Sequence, residues 1–236
     1  LYHNIDFEYA LKDYRVTNSS TVANTILESS GSNISYLIKN NFRYSTLNRG
    51  FVLKTGNYIN FNNILETPTS SNNGYVKNII TLKKYFSNQN SIYGVQGKIG
   101  NILSLNNNDI LTDDKFSLGG RSLRGFDSYG AGPRNSRTSY IGGNNIASLK
   151  LDYSYEITKQ SNFPFYFNVF NDYGLIWENK TTPTQSDNNL RSSIVVEIKY
   201  YSPVGPIGFT WGFPIMDEEY DIKRMFLFSV GNLDWN

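Results

Sequence analysis

The sequence predicts an all-β fold, a transmembrane antiparallel up-and-down β-barrel of which about ten strands are present. Three observations carry this prediction. First, ten segments of roughly ten residues alternate apolar and polar side chains with period two. That length crosses a bilayer at the usual barrel tilt, whereas the strands of a soluble sandwich run nearer five or six residues. Second, the connections alternate in kind: 17–32, 66–74, 105–144, 178–190 and 216–222 are long and polar, while 87–90, 157–163 and 202–206 are short. Long loops on one side and short turns on the other mark an outer-membrane barrel. Third, aromatic residues make up 15% of the chain, yet its mean hydropathy is -0.43. Rings on a lipid face and a polar lumen reconcile these two values; a soluble sandwich of this composition is excluded by strand length, not by composition.

The elements follow in order. In 3–16, His3, Ile5, Phe7, Tyr9 and Leu11 share one face, and Asn4, Asp6, Glu8 and Lys12 the other. In 33–45, Ile34, Tyr36 and Ile38 alternate with Ser35 and Lys39. The connection 46–56 is longer than the short-turn side calls for. Strands are expected near 57–65, 75–86 and 91–104, the last setting Tyr93, Val95 and Ile99 against Gly94, Gln96 and Lys98. Beyond 105–144 the alternation is clearest. In 146–156, Leu149, Leu151 and Tyr153 oppose Lys150 and Asp152; in 164–177, Phe165, Phe167 and Val169 oppose Asn168 and Asp172. In 191–201, Ile194, Val196 and Ile198 oppose Ser193, Glu197 and Lys199; in 207–215, Phe209 and Trp211 oppose Gly208, Thr210 and Gly212. The last strand, 223–233, sets Phe226, Phe228 and Val230 on one side. Leu149, Leu151, Tyr153, Ile194, Val196, Ile198, Phe209 and Trp211 are expected to face the lipid bilayer.

Composition excludes several function classes. The chain carries 22 basic and 20 acidic residues, with no electrostatic footprint for nucleic acid. It has no cysteine, hence no disulfide framework, zinc ribbon or thiol nucleophile. His3 is the only histidine, so neither a Ser-His-Asp triad nor a multi-histidine metal site is expected. Residues 106–114 lack the glycine and terminal glutamate of a calcium loop and read as a solvated loop; Gly130-Ala131-Gly132 lacks the lysine of a phosphate loop. No enzyme activity and no cofactor are expected. The first residues lack the basic and apolar regions of a signal peptide, so the expectation is a removed signal or a fragment.

The long loop holds the most unusual stretch, Leu118-Gly119-Gly120-Arg121-Ser122-Leu123-Arg124-Gly125-Phe126, running on to Gly130-Ala131-Gly132-Pro133 and Gly142-Gly143-Asn144. Its glycines and proline rule out a helix or central strand, and loops of this length are usually functional or disordered; this one reads as ordered. Asp152 and Asp172 fall on the polar faces of the strands that follow. On residues alone they are inward carboxylates, either lumen-lining charges or partners of a cation.

The words Leu123-Arg124-Gly125-Phe126, Gly130-Ala131-Gly132-Pro133 and Gly142-Gly143-Asn144 resemble the sixth extracellular loop of the BamA-type outer-membrane assembly factors. Asp172-Tyr173-Gly174, Ser202-Pro203-Val204-Gly205-Pro206 and the terminal Phe226–Gly231 stretch extend the resemblance over about residues 44 to 236. It implies that residues 1–236 are the C-terminal part of a sixteen-stranded barrel, with extracellular loop 105–144 folded into the lumen and the family's periplasmic repeats absent from this chain. It places Asp152 and Asp172 as docking partners of Arg124, and Phe226, Phe228, Gly231 and Trp235 at the terminal-strand seam. The implied function is insertion of β-barrel proteins into the bacterial outer membrane by edge-strand templating. Implied partners are nascent outer-membrane barrel proteins, accessory assembly lipoproteins and the bilayer. The alternative is a TamA-like or two-partner secretion translocator that exports a passenger. A lumen filled with water would screen the Arg124 pair, so its loss is expected to cost less than a fully buried pair.

Overall fold

Period-two alternation leaves each strand with one face for lipid and one for the interior, and a meander is the shortest route that keeps all these faces aligned. The computed structural model describes residues 1–14, 31–48, 52–69, 74–106, 110–135, 139–158, 163–178, 188–203 and 205–231. It contains β1 (Tyr2–Tyr14), β2 (Gly31–Ser45), β3 (Gly56–Glu66), β4 (Tyr75–Asn88), β5 (Ser91–Ser104), β6 (Arg134–Asn135), β7 (Ser139–Tyr140), β8 (Asn145–Glu156), β9 (Phe165–Trp177), β10 (Arg191–Ser202), β11 (Gly205–Met216) and β12 (Phe226–Val230). Ten of these form one antiparallel sheet in the order β1-β2-β3-β4-β5-β8-β9-β10-β11-β12, and β6 and β7 form a small hairpin inside the long loop.

The alternation maps onto two distinct faces. Along β9, Tyr166, Asn168, Phe170, Asp172, Gly174 and Ile176 are buried, and the residues between them are not. Leu149, Leu151, Ile194, Ile198, Phe209 and Trp211 are exposed on the opposite face, with Phe209 and Phe228 rings 5.1 Å apart across β11 and β12. Such an array of uncovered apolar side chains suits lipid and not water.

The interior face is covered from two directions. Loop 105–144 lies over β4, β5, β8 and β9, where Phe116, Leu118, Leu123, Phe126 and Ala131 pack with Tyr75, Ile102, Ile146 and Ile176 in one apolar cluster. Of the stretch 106–114 expected as a solvated loop, 107–109 lie outside the described residues; beyond them Ile110 is buried, Tyr75 Oη donates to Asp114 Oδ1 at 3.3 Å and Lys77 Nζ donates to the Asp114 carbonyl at 2.7 Å. From the other end of the strands, the connection between β2 and β3 folds inward, which accounts for its length. Leu47, Val52 and Leu53 pack on Tyr85, Ile92, Tyr166 and Tyr201.

Two expectations require correction. The last strand is Phe226–Val230, and its start falls later than the expected residue 223 because the Ile222 and Arg224 amides bond to the long loop, leaving only the Met225 carbonyl bonded to β11; residues 232–233 lie outside the described residues. The Arg124 pair is more buried than a water-filled lumen would leave it: Arg124 is 4% exposed and Asp172 0%. Residues 17–30 of the first long connection, 179–187 of the fourth, and Trp235 lie outside the described residues.

Candidate functional site

The tip of the long loop is shaped by its own short-range bonds. Ser122 Oγ donates to the Gly119 carbonyl at 2.8 Å and accepts from the Gly119 amide at 2.9 Å, and the Gly120 amide donates to the Phe126 carbonyl at 3.0 Å. This closes residues 119–126 into a compact knuckle with Leu123, Arg124 and Phe126 turned toward the sheet. Leu123 and Phe126 are 0% and 1% exposed; burying side chains of this size contributes about 1.5–3 kcal/mol each.

Gly125 makes the approach possible. Its φ is +92°, a region that side chains with a Cβ rarely occupy. It also sits directly against the wall: a Cβ on Gly212 of β11 would lie 2.5 Å from the Gly125 Cα. Two glycines therefore face one another, backbone on backbone, and the arginine beside them reaches the wall without stretching.

Arg124 is held by two strands at once. Its Nε donates to Asp172 Oδ2 at 2.7 Å, its Nη2 to Asp172 Oδ1 at 2.5 Å, and its backbone amide also donates to Asp172 Oδ2 at 3.0 Å. Nη2 bonds Asp152 Oδ1 at 2.9 Å. The fork is the bidentate arrangement for which a planar guanidinium is suited and an ammonium is not. Burial alone would lower the guanidinium pKa, but Asp172 and Asp152 together more than offset it and raise the value, so the arginine is charged at any physiological pH.

Neighbouring groups complete the cradle. Ser193 Oγ of β10 donates to the Arg124 carbonyl at 2.5 Å, Gln96 Nε2 of β5 donates to Asp152 Oδ2 at 3.0 Å, and the Phe170 ring centroid lies 3.8 Å from the guanidinium carbon. Below the arginine, toward the β2–β3 connection, is a partly open pocket of about 120 Å³ lined in part by Leu53, Tyr85, Asp152, Tyr166 and Glu197.

The structure thus brings Leu123, Arg124, Gly125, Phe126, Asp152 and Asp172 together. Phe226 and Phe228 stand apart, about half exposed on the outer face of β12. Gly231 follows them with φ +88° and donates its amide to the Pro206 carbonyl at 2.8 Å. Sequence reasoning missed Ser193, Gln96, Phe170 and Gly212. Their only signal was parity: each lies on the inward face of its strand, but nothing in the alternation says which inward residue meets the loop.

The arrangement is a mechanical clamp, built from a charge pair and an apolar plug. Among the described residues no cluster of His, Cys, Asp and Glu suits a metal ion.

Comparison with known proteins agrees with this architecture. Residues 1–233 match the model of the Omp85 superfamily domain. The chain is 25% identical to an outer membrane protein assembly factor BamA from Nitratidesulfovibrio vulgaris, over 98% of this chain and 30% of that protein. It is similar in fold to the crystal structure of BamA from Haemophilus ducreyi lacking POTRA domains 1–3, with a TM-score of 0.81 at 21% identity, covering 96% of this chain and 50% of the other. The chain therefore spans at most half the length of these relatives. The resemblance to BamA-type barrels read from the loop words extends over nearly all of the chain, and the ten-stranded sheet is part of the wall of an outer-membrane β-barrel. The chain belongs to the Omp85 superfamily.

Proposed function

We propose that residues 1–236 form the C-terminal part of an outer-membrane assembly barrel, with loop 105–144 on the extracellular side and folded into the lumen. The whole protein folds and inserts other β-barrel proteins. No bond is made or broken in this work, so the protein is not an enzyme. The observation that carries the reading is the clamp of Arg124 on Asp172 and Asp152, which fastens a long loop to the inner face of β8 and β9.

The mechanism is templating. A strand at the end of a sheet has one row of backbone N–H and C=O groups without a ladder partner, and lipid cannot satisfy them. An incoming strand that pairs there has its own backbone groups satisfied as it enters the membrane. Among the described residues β12 pairs in the sheet with β11, and its other side is the edge this reading assigns to the incoming strand. Phe226 and Phe228 face the membrane beside Trp211 and Phe209, and Gly231 marks the end of the ladder; the seam assigned to Phe226, Phe228, Gly231 and Trp235 rests on this placement and, for Trp235, on the family resemblance. The docked loop stiffens the wall behind the edge while it exchanges partners. Nascent barrel proteins, accessory lipoproteins and the bilayer are the partners of this reading.

Depletion of the full-length protein tests it. Many unrelated outer-membrane barrel proteins should fall together in quantitative proteomics of isolated membranes. Loss of one secreted passenger with the other barrels unchanged would replace this reading with that of a secretion translocator.

A further inference from the structure

Residues 217–225 link β11 to β12, but they do not continue the ladder that these strands begin. The Asp127 amide donates to the Ile222 carbonyl at 2.9 Å, the Ile222 amide to the Gly130 carbonyl at 2.9 Å, and the Arg224 amide to the Gly125 carbonyl at 3.0 Å. The segment is therefore a third strip laid along the inward loop, with Phe126 bridged to Lys223. Only the Gly212 amide, donating to the Met225 carbonyl at 2.9 Å, still ties it to β11 before the ladder resumes at Phe226.

Two ion pairs tie the strip to other elements, one to β10 and one to the loop. Asp221 accepts from Arg191 Nε at 2.8 Å and Nη2 at 3.2 Å, with both side chains at or below 1% exposure, and it also accepts the Glu218 amide at 2.9 Å. Arg224 Nη2 lies 2.7 Å from Asp127 Oδ1, with both side chains partly exposed. Backbone spacing agrees: a Cβ on Gly130 would lie 2.4 Å from the Ile222 carbonyl oxygen, so a side chain there would push the strip away.

The alternative path is unfavourable for a stated reason. In the observed register Trp211 faces Phe226 and Phe209 faces Phe228. Extending it would set Arg224 opposite Phe213 on the membrane-facing side, where an arginine is costly. On the strip the same arginine meets Asp127.

We propose that Asp221 and Arg224 are positioning residues of the terminal strand: Asp221 fastens the segment before Phe226 to Arg191 of β10 and Arg224 fastens it to Asp127 of the inward loop, so that docking of Arg124 sets where the β11–β12 ladder ends. With the loop docked, β12 pairs through five residues, Ile207 to Trp211 of β11 facing Val230 to Phe226, and Phe213 to Met216 of β11 have no β12 partner. The consequence for assembly, that the clamp controls the length of edge offered to an incoming strand, rests on the templating function proposed above. The coupling of loop to strand does not.

Hydrogen exchange on the full-length protein in lipid nanodiscs tests the coupling without any assay of assembly. Arg224→Ala should speed exchange of the Ile222 and Gly212 amides by about 2- to 5-fold, the range set by a partly exposed ion pair, and the charge-swapped pair Asp127→Arg with Arg224→Asp should restore it. Arg124→Ala should speed exchange in 119–130 and in 217–231 together, by more than about tenfold at the strip, since it removes a buried clamp. In both variants the β8–β9 amides should keep their protection. The proposal is overturned if Arg124→Ala loosens 119–130 alone, or if Arg224→Ala leaves Ile222 and Gly212 unchanged. If the coupling appears but insertion of client barrels into proteoliposomes is indifferent to these variants, the coupling stands and the templating reading falls.

Discussion

At the scale of the residue, Arg124 is the point where the loop and the wall become one body. It donates three hydrogen bonds to Asp172 and one to Asp152 from a position almost without solvent. Replacing it with alanine strands the Asp172 carboxylate in a buried site, and breaking a pair of this kind costs about 3–5 kcal/mol. The loss falls on docking of the loop, not on the strand ladders, so limited proteolysis should cut within 119–131 while the barrel stays folded. An uncut loop in Arg124→Ala would show that the apolar plug alone suffices. Arg124→Lys should recover little, because an ammonium cannot bond Asp172 through two parallel donors while also reaching Asp152. The comparison that decides this is the denaturation midpoint of the loop, followed by exchange at residues 119–126 in the two variants. Equal protection in lysine and wild type would contradict the argument.

At the scale of the element, the connection between β2 and β3 is a second inward plug, organised by one side chain. Asn48 Oδ1 accepts the Lys54 amide at 2.7 Å and the Thr55 amide at 3.0 Å, and its Nδ2 donates to the Val52 carbonyl at 2.9 Å. Lys54 then reaches Glu156 of β8 at 2.9 Å, and the same Glu156 oxygen accepts from Tyr166 at 3.0 Å. The turn is thus fastened across the interior to strands more than ninety positions away in the chain. Asn48→Ala removes three bonds of a half-buried group and should destabilise the turn by about 1–3 kcal/mol. Faster exchange of the Lys54 and Thr55 amides, with β2 and β3 unaltered, is the expected result; unchanged amides would mean that Leu47, Val52 and Leu53 hold the turn unaided.

At the scale of the molecule, the sheet works because its two faces meet different solvents. The outer face presents Leu149, Leu151, Ile198, Phe209 and Trp211, and the inner face carries the polar cradle and both plugs. Ile198→Arg, near the middle of β10, places a charge against lipid and should reduce stability in bilayers by about 2–4 kcal/mol. The measurement is reversible unfolding in vesicles, with Lys199→Arg on the inward side of the same strand as the comparison. A loss equal in both would contradict the assignment of faces.

The strand count, their antiparallel meander and the division into lipid and interior faces were readable in the chain, because a period of two is a local property that each strand carries by itself. Leu149 and Lys150 declare their faces without reference to anything else. The loop motif was readable for a related reason: Gly119, Gly125 and Gly132 adopt φ of +121°, +92° and +117°, conformations that only glycine holds cheaply. The pairing of Arg124 with Asp152 and Asp172 could be named only through the family resemblance; residue types and inward parity by themselves give inward carboxylates. Its burial could not be read, since burial depends on Leu123, Phe126, Ile146 and Ile176 converging from distant segments. Nor could the early end of β12, where the Ile222 amide bonds to Gly130 and the Arg224 amide to Gly125 instead of extending the ladder on β11. Local periodicity determined which face each strand residue takes; tertiary packing alone decided which loops fill the interior and where the terminal ladder stops, because those outcomes are competitions between partners far apart in the chain.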